Sequence, residues 1–202
     1  MLTLHLARHG DTTQSSEGVF CGELDPPLTD KGRAQADKLA RVTATLDLEA
    51  VYVSPKLRAL ETAAPTLAAT KLQANVRDGL REIGYGAWEG RHETEIAKSE
   101  PAAFAAWVND PALVSPPGGE SAFAIAARAL PVLLEVRERH PNGRVLFVSH
   151  KATVRVLVCA IIGLPLGRFR DRVACPTASL TTIEFGDRGQ MLTRIGDTHH
   201  LK

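Results

Sequence analysis

The sequence predicts an α/β protein with a largely parallel central sheet and an antiparallel edge strand. Three observations predict it. Aliphatic runs alternate with helical patterns along the 202 residues, the arrangement that builds βαβ units. The run "GRVLFVS" at 143–149 is continuously apolar after its first residues, as in a strand buried on both faces. Two strand patterns, "ASLTTIEF" and "QMLTRIG", are joined by "GDRG", a hairpin signal.

In chain order, "LTLHLA" alternates and is rich in aliphatics, giving a strand over about 2–7. Helix follows in "PLTDKGRAQADKLARVTATL", where Thr29 is placed to cap and Asp30 sits at the positive end of the helix dipole. "EAVYVS" is a second buried strand. Ser54 as cap and Pro55 in the first turn then open the helix "KLRALETAAPTLAAT", which Pro65 should kink or end. "LQANV" is a short strand, and "LREIGYGAWEG" is irregular, its glycines marking turns. Short helices are expected in "ETEIAKS" and "PAAFAAWVND", a loop in "ALVSPPGGES", and a long helix over about 121–140. Helix resumes after His150 to about residue 162, ahead of the closing hairpin.

Composition narrows the class of partner. Twenty-four basic and 23 acidic side chains leave a net charge of +1, which gives no general attraction for nucleic acid or an anionic membrane. The run 144–164 is apolar but is broken by Ser149, His150, Lys151 and two arginines, so it is no membrane span. Cys21, Cys159 and Cys175 form no CxxC pair and are odd in number, which points to reduced thiols in a cytoplasm. His5 and His9 share a strand without a carboxylate or cysteine to complete a metal set. No metal and no cofactor is expected.

Ligands of such sheets collect beyond the carboxyl ends of the strands. Three predicted strands end on polar groups there: the first on Arg8-His9, the second just before Arg58, the long aliphatic one on His150. Two arginines supply permanently charged forks matched to phosphoryl oxygens. A neutral imidazole is a nucleophile toward phosphorus, and a second, protonated one adds charge stabilisation. The helices beginning after His150 and at Ser54-Pro55 would aim backbone N–H groups at the same anion, with Gly10 leaving room for it. Glu82, in the glycine-rich turn beside Tyr85 and Trp88, is placed to give the leaving alkoxide its proton.

Together "LARHGDT", "SPKLRALETA", "LREIGYGAWEG" and "VSHKATVRVL" resemble, in order and over nearly the whole chain, the histidine phosphatase superfamily, the phosphoglycerate-mutase-like group. The resemblance implies a three-layer sandwich with helices on both faces of the sheet, in a single domain spanning 1–202. It implies His9 as the phosphorylated nucleophile, Arg8, Arg58 and His150 as the rest of the phosphate pocket, and Glu82 as acid and later base. The backbone of Cys21-Gly22 falls where the family's "TG" turn touches phosphate, and Thr12 would add its hydroxyl. Ser15 stands where the family usually has a phosphate-binding asparagine, so Gln14 is the alternative donor. "SHK" replaces the commoner "HGG" and places Lys151 at the edge of the site, either to bind a second anion or to face solvent.

The short connection through 109–123 resembles the phosphatase branch. The expected function is therefore metal-independent hydrolysis of a small phosphorylated metabolite such as phosphoserine, a phosphoglycerate or a sugar phosphate. The alternatives are a phosphoglycerate mutase or, in another class, a phosphate-binding module with weak catalysis. Specificity is expected from the loops at 85–92, 112–120 and 168–175. Tyr85 would wall the cleft, and Arg168, Arg170 and Arg172 either reach a second acidic group or form a solvated basic run. The expected partner is a small-molecule phosphate ester; a homodimer is the one protein assembly envisaged.

Overall fold

The computed structural model describes residues 1–202, with every side chain included but that of residue 16. Six strands, β1 (Leu2–Arg8), β2 (Ala50–Val53), β3 (Ala74–Val76), β4 (Arg144–Ser149), β5 (Leu180–Gly186) and β6 (Gly189–Asp197), form one sheet. Their order is β3-β2-β4-β1-β5-β6. The first four are mutually parallel, while β5 runs antiparallel to both β1 and β6. The antiparallel edge is the expected hairpin: β5 runs against the parallel set and β6 pairs antiparallel to it. The turn between them occupies only 187–188, so β6 has no second neighbour to pair with and forms the edge.

The helices are α1 (Thr13–Glu17), α2 (Asp30–Thr43), α3 (Leu57–Thr70), α4 (Glu93–Ser99), α5 (Pro101–Asn109), α6 (Ala122–Arg139), α7 (Lys151–Ile162) and α8 (Phe169–Arg172). Strand alternation sends successive side chains to opposite faces, and β4 shows it plainly. Val145 and Phe147 join one core with Leu2, Leu4, Leu6 and residues of α6 and α7. Leu146 and Val148 join the other with Ala7 and residues of α2 and α3. Three layers result. A third, smaller cluster of Phe20, Trp88, Ile96 and Trp107 lies apart from both.

Local signals act largely as expected. The Thr29 hydroxyl accepts the Gly32 amide at 3.0 Å and starts α2. Ser121 accepts the Ala124 amide and starts α6. Around α3 the cap position is Lys56, without a side-chain cap, and the helix continues past Pro65 to Thr70. Loss of one backbone bond at proline costs roughly 3 kcal/mol; burial of Ala59, Thr62, Ala63 and Thr66 against the sheet and α2 outweighs that. Among the described residues no helix is long and apolar enough to cross a membrane, and the three cysteines are free thiols.

Candidate active site

The parallel register sets the centre of the site. Arg8 lies opposite Ser149, and Val53 opposite Val148, so the next residues of three neighbouring strands, His9, His150 and Ser54, emerge side by side. The His9 and His150 rings are 5.2 Å apart. His9 Nδ1 lies 2.7 Å from the Gly10 carbonyl oxygen. A carbonyl only accepts, so Nδ1 carries the proton and Nε2 keeps its lone pair. Burial first, then the Arg8 and Arg58 cations, hold the ring's pKa well below that of a free histidine. His9 is therefore neutral and nucleophilic at Nε2.

His150 sits one layer behind. Arg58 Nε donates to its Nδ1 at 3.2 Å, which leaves Nε2–H to donate to Ser54 Oγ at 2.7 Å. Burial, followed by the positive charge of Arg58, lowers its pKa well below the usual value. The protonated second histidine expected from sequence is thus neutral in the ligand-free site. Ser54 serves it rather than capping α3.

Arg8 donates from Nη1 to the Cys175 carbonyl at 2.9 Å, while its Nε is buried without a partner. Arg58, 1% exposed, spends its donors on His150 and on the carbonyls of Leu24, Cys21 and Gly22; Asp25 lies 3.7 Å from it. Glu82 is buried. Its Oε1 accepts the amides of Ile83, Ala152 and Thr153 at 3.0, 3.2 and 3.4 Å, and its Oε2 accepts that of Ala152 at 3.3 Å. Arg8, His9, Arg58 and Glu82 line one cleft of about 130 Å³ with Thr12, Gln14, Ser15, Cys21, Tyr85 and Lys151.

Several expected contacts with an anion are differently employed. The first amides of α7 hold Glu82, and the Leu57 amide at the start of α3 donates to Asp25. Both positive helix ends thus carry a carboxylate. The Gly22 amide does not face the cleft; it donates to both Glu89 oxygens, which also collect the amides of Glu23 and Tyr85. Gly10 is needed for another reason: a Cβ there would lie 2.6 Å from the Gly32 carbonyl oxygen of α2. Thr12 and Ser15 satisfy one another in a capping box at the start of α1, while Gln14 Oε1 is buried with no partner among the described residues.

Tyr85 lines the cleft as expected and packs on Phe20, ring centroids 4.5 Å apart; burial, then the Glu82 carboxylate, drives its phenol well above the ordinary range. Arg155 of α7 and Trp107, which sequence reasoning passed over, reach the cleft with Arg170 of α8. Arg155 lies one turn after Lys151, so the i,i+4 spacing behind a strand-end histidine was the available signal. Of the basic run, Arg170 turns inward to Glu93, Arg168 lies 3.8 Å from Asp171, and Arg172 is exposed.

A family model described as the histidine phosphatase superfamily (branch 1) matches residues 4–198. Phosphoserine phosphatase 1 of Hydrogenobacter thermophilus is 34% identical over 201 residues, covering 100% of this chain and 95% of that one. Among solved structures, Bacillus stearothermophilus YhfR superposes with a TM-score of 0.92 at 33% identity over 100% of both chains. A mycobacterial glucosyl-3-phosphoglycerate phosphatase complexed with VO3 gives 0.90 at 27% identity, covering 97% of this chain and 99% of that one.

Proposed function

The chain belongs to the histidine phosphatase superfamily, branch 1, and from that premise we propose that it hydrolyses a small phosphorylated metabolite through a phosphohistidine at His9. It is a phosphatase acting on a small-molecule phosphate ester, as its relatives' names support. One observation carries the mechanism: the Nδ1–Gly10 bond leaves His9 Nε2 unprotonated in a cleft lined by Arg8 and Arg58.

Nε2 attacks phosphorus in line with the departing oxygen. Arg8 and Arg58 balance the equatorial oxygens, where charge gathers in the transition state. His150, held by Ser54 behind the cleft, accepts from Arg58 Nε and so fixes the guanidinium beside the phosphoryl oxygens. Glu82 takes a proton from solvent as the ester enters and gives it to the leaving alkoxide, so the alcohol departs neutral. The same carboxylate then removes a proton from water, whose oxygen attacks the phosphohistidine and releases phosphate. The arginines supply the charge stabilisation, and no metal takes part in these steps. Thr12, Ser15 or Gln14, Cys21, Tyr85 and Lys151 border the bound ester. Gly22 acts on it only through the loop that Glu89 holds.

The same reading takes residues 1–202 as one domain working in the cytoplasm, in keeping with three unbridged thiols, and allows a homodimer. The test is turnover of p-nitrophenyl phosphate with chelator present, scored by phosphate release. We expect His9→Ala to lower kcat at least about 10³-fold, the loss typical of a removed nucleophile. Full turnover by that variant would refute the mechanism.

A further inference from the structure

The upper half of the cleft carries positive charge that the phosphoryl group does not use. Arg170 is fixed on two sides. Its Nη2 donates to Glu93 Oε1 at 3.0 Å, and its guanidinium carbon lies 4.0 Å from the centre of the Trp107 ring. Its Nη1 is buried with no partner among the described residues. Arg155 lines the same cleft, and its Nε is likewise buried without a partner. Lys151, one helical turn before Arg155, stands at the rim.

Among the described residues these three cations share the cleft with two carboxylates, Glu93, which pairs with Arg170, and Glu82, whose charge acts on Lys151 and Arg155, so positive charge stays in excess. The floor differs, since Arg58 already has Asp25 beside it and Arg8 and Arg58 share the phosphoryl dianion. Burial is the main influence pulling both Lys151 and Arg155 below their ordinary pKa values, with repulsion from neighbouring arginines added. Buried N–H donors without acceptors cost free energy, as do like charges gathered in a partly dry cleft. An anionic acceptor relieves both.

Resting on the phosphatase reading, we propose that Arg155, Arg170 and Lys151 form a second anion subsite that binds a carboxylate on the alcohol part of the substrate. The preferred substrates are then small phosphorylated hydroxy- or amino acids. A carboxylate offers two oxygens, enough for one N–H from each guanidinium. Its single charge suits the excess better than a second phosphoryl dianion would. The aromatic wall of Phe20, Tyr85 and Trp107 keeps the carbon skeleton short.

Matched pairs test this with the wild-type protein. O-phosphoserine is compared with phosphoethanolamine, where hydrogen replaces the carboxylate, and 3-phosphoglycerate with glycerol 3-phosphate, where a neutral hydroxymethyl group replaces it. Charge-assisted recognition predicts a kcat/KM ratio of at least about 30 in favour of the acid, carried mainly by KM. In Arg155→Met/Arg170→Met that ratio should collapse to about threefold or less, and Arg155→Lys should retain most of it. Ratios near one in the wild type, while p-nitrophenyl phosphate is still turned over, would overturn the subsite and leave the phosphatase reading standing. A stronger preference for a bisphosphate would overturn the carboxylate assignment. No turnover of any ester, p-nitrophenyl phosphate included, would overturn both readings.

Discussion

Arg58 of α3 and Arg170 of α8 bring guanidinium groups into one cleft in different states of preparation. On the floor, Arg58 is 1% exposed and its three nitrogens are all engaged, with His150 and with the carbonyls of Leu24, Cys21 and Gly22. On the roof, Arg170 is held by Glu93 and the face of Trp107, but one nitrogen is buried and unserved. The floor is organised before anything binds, as electrostatic catalysis requires. The roof is organised only up to the point where a ligand is needed to finish it. Chemistry and selectivity thus occupy separate walls, and changes to one should leave a different kinetic signature from changes to the other.

The largest effect should come from the floor. Glu82→Gln removes the proton donor while keeping an acceptor for the Ile83 and Ala152 amides. For an alkyl phosphate, whose alkoxide needs that proton, kcat should fall about 10²–10³-fold. For p-nitrophenyl phosphate, whose leaving group departs unaided, the single-turnover release of p-nitrophenol should slow about tenfold or less, although the later attack of water still needs Glu82. Equal losses on both esters in single-turnover release of the alcohol would remove Glu82 from protonation of the leaving group.

Acid offers a second contrast, because the sheet side of the molecule holds buried neutral histidines while the cations of the roof stay charged as pH falls. His9 and His150 have folded pKa values well below 6.5, and His5 is lowered to about 4, first by burial and then by Arg194 and Arg144. The unfolded chain therefore binds more protons below about pH 6.5. The stability these residues contribute is complete above that point and is lost as pH falls toward the folded pKa. For His5 alone the loss at pH 5 is about 2 kcal/mol. Denaturant unfolding of the ligand-free protein should show this decline between about pH 7 and 5, with His5→Gln losing less by roughly that amount. An identical slope in His5→Gln would show that the residue does not remain neutral in the fold.

The smallest effect belongs to the roof. Trp107→Leu removes the face that supports Arg170, an interaction of about 1 kcal/mol. KM for a carboxylated ester should rise about fivefold, with kcat within about twofold of the wild type. A fall in kcat instead would place Trp107 in the organisation of the floor.

The same division governs what the sequence disclosed. The nearness of Arg8, His9 and His150 was legible because strand ends in an open α/β sheet converge by topology; Arg58 reaches them from α3 and Glu82 from the loop beyond β3. Finer assignments failed where local groups compete for one donor. Gly22 was expected to offer its amide to phosphate, yet Glu89 claims it. Ser54 was expected to cap a helix, yet it holds His150. The roof was only partly legible, since the contact between Trp107 and Arg170 joins distant segments with no periodic pattern to announce it. Arg155 was missed because its helix is mostly apolar and its charge resembles a solvated one until α8 folds over it.

Rapid acid-free quenching during turnover, followed by peptide mapping, tests the neutral nucleophile most directly. A phosphohistidine mechanism predicts one acid-labile phosphoryl group per chain, on the peptide that contains His9, absent from His9→Ala. A phosphoryl group found on Ser54 or His150, or steady turnover with no phosphoenzyme formed at any time, would show that His9 Nε2 is not the atom that attacks phosphorus.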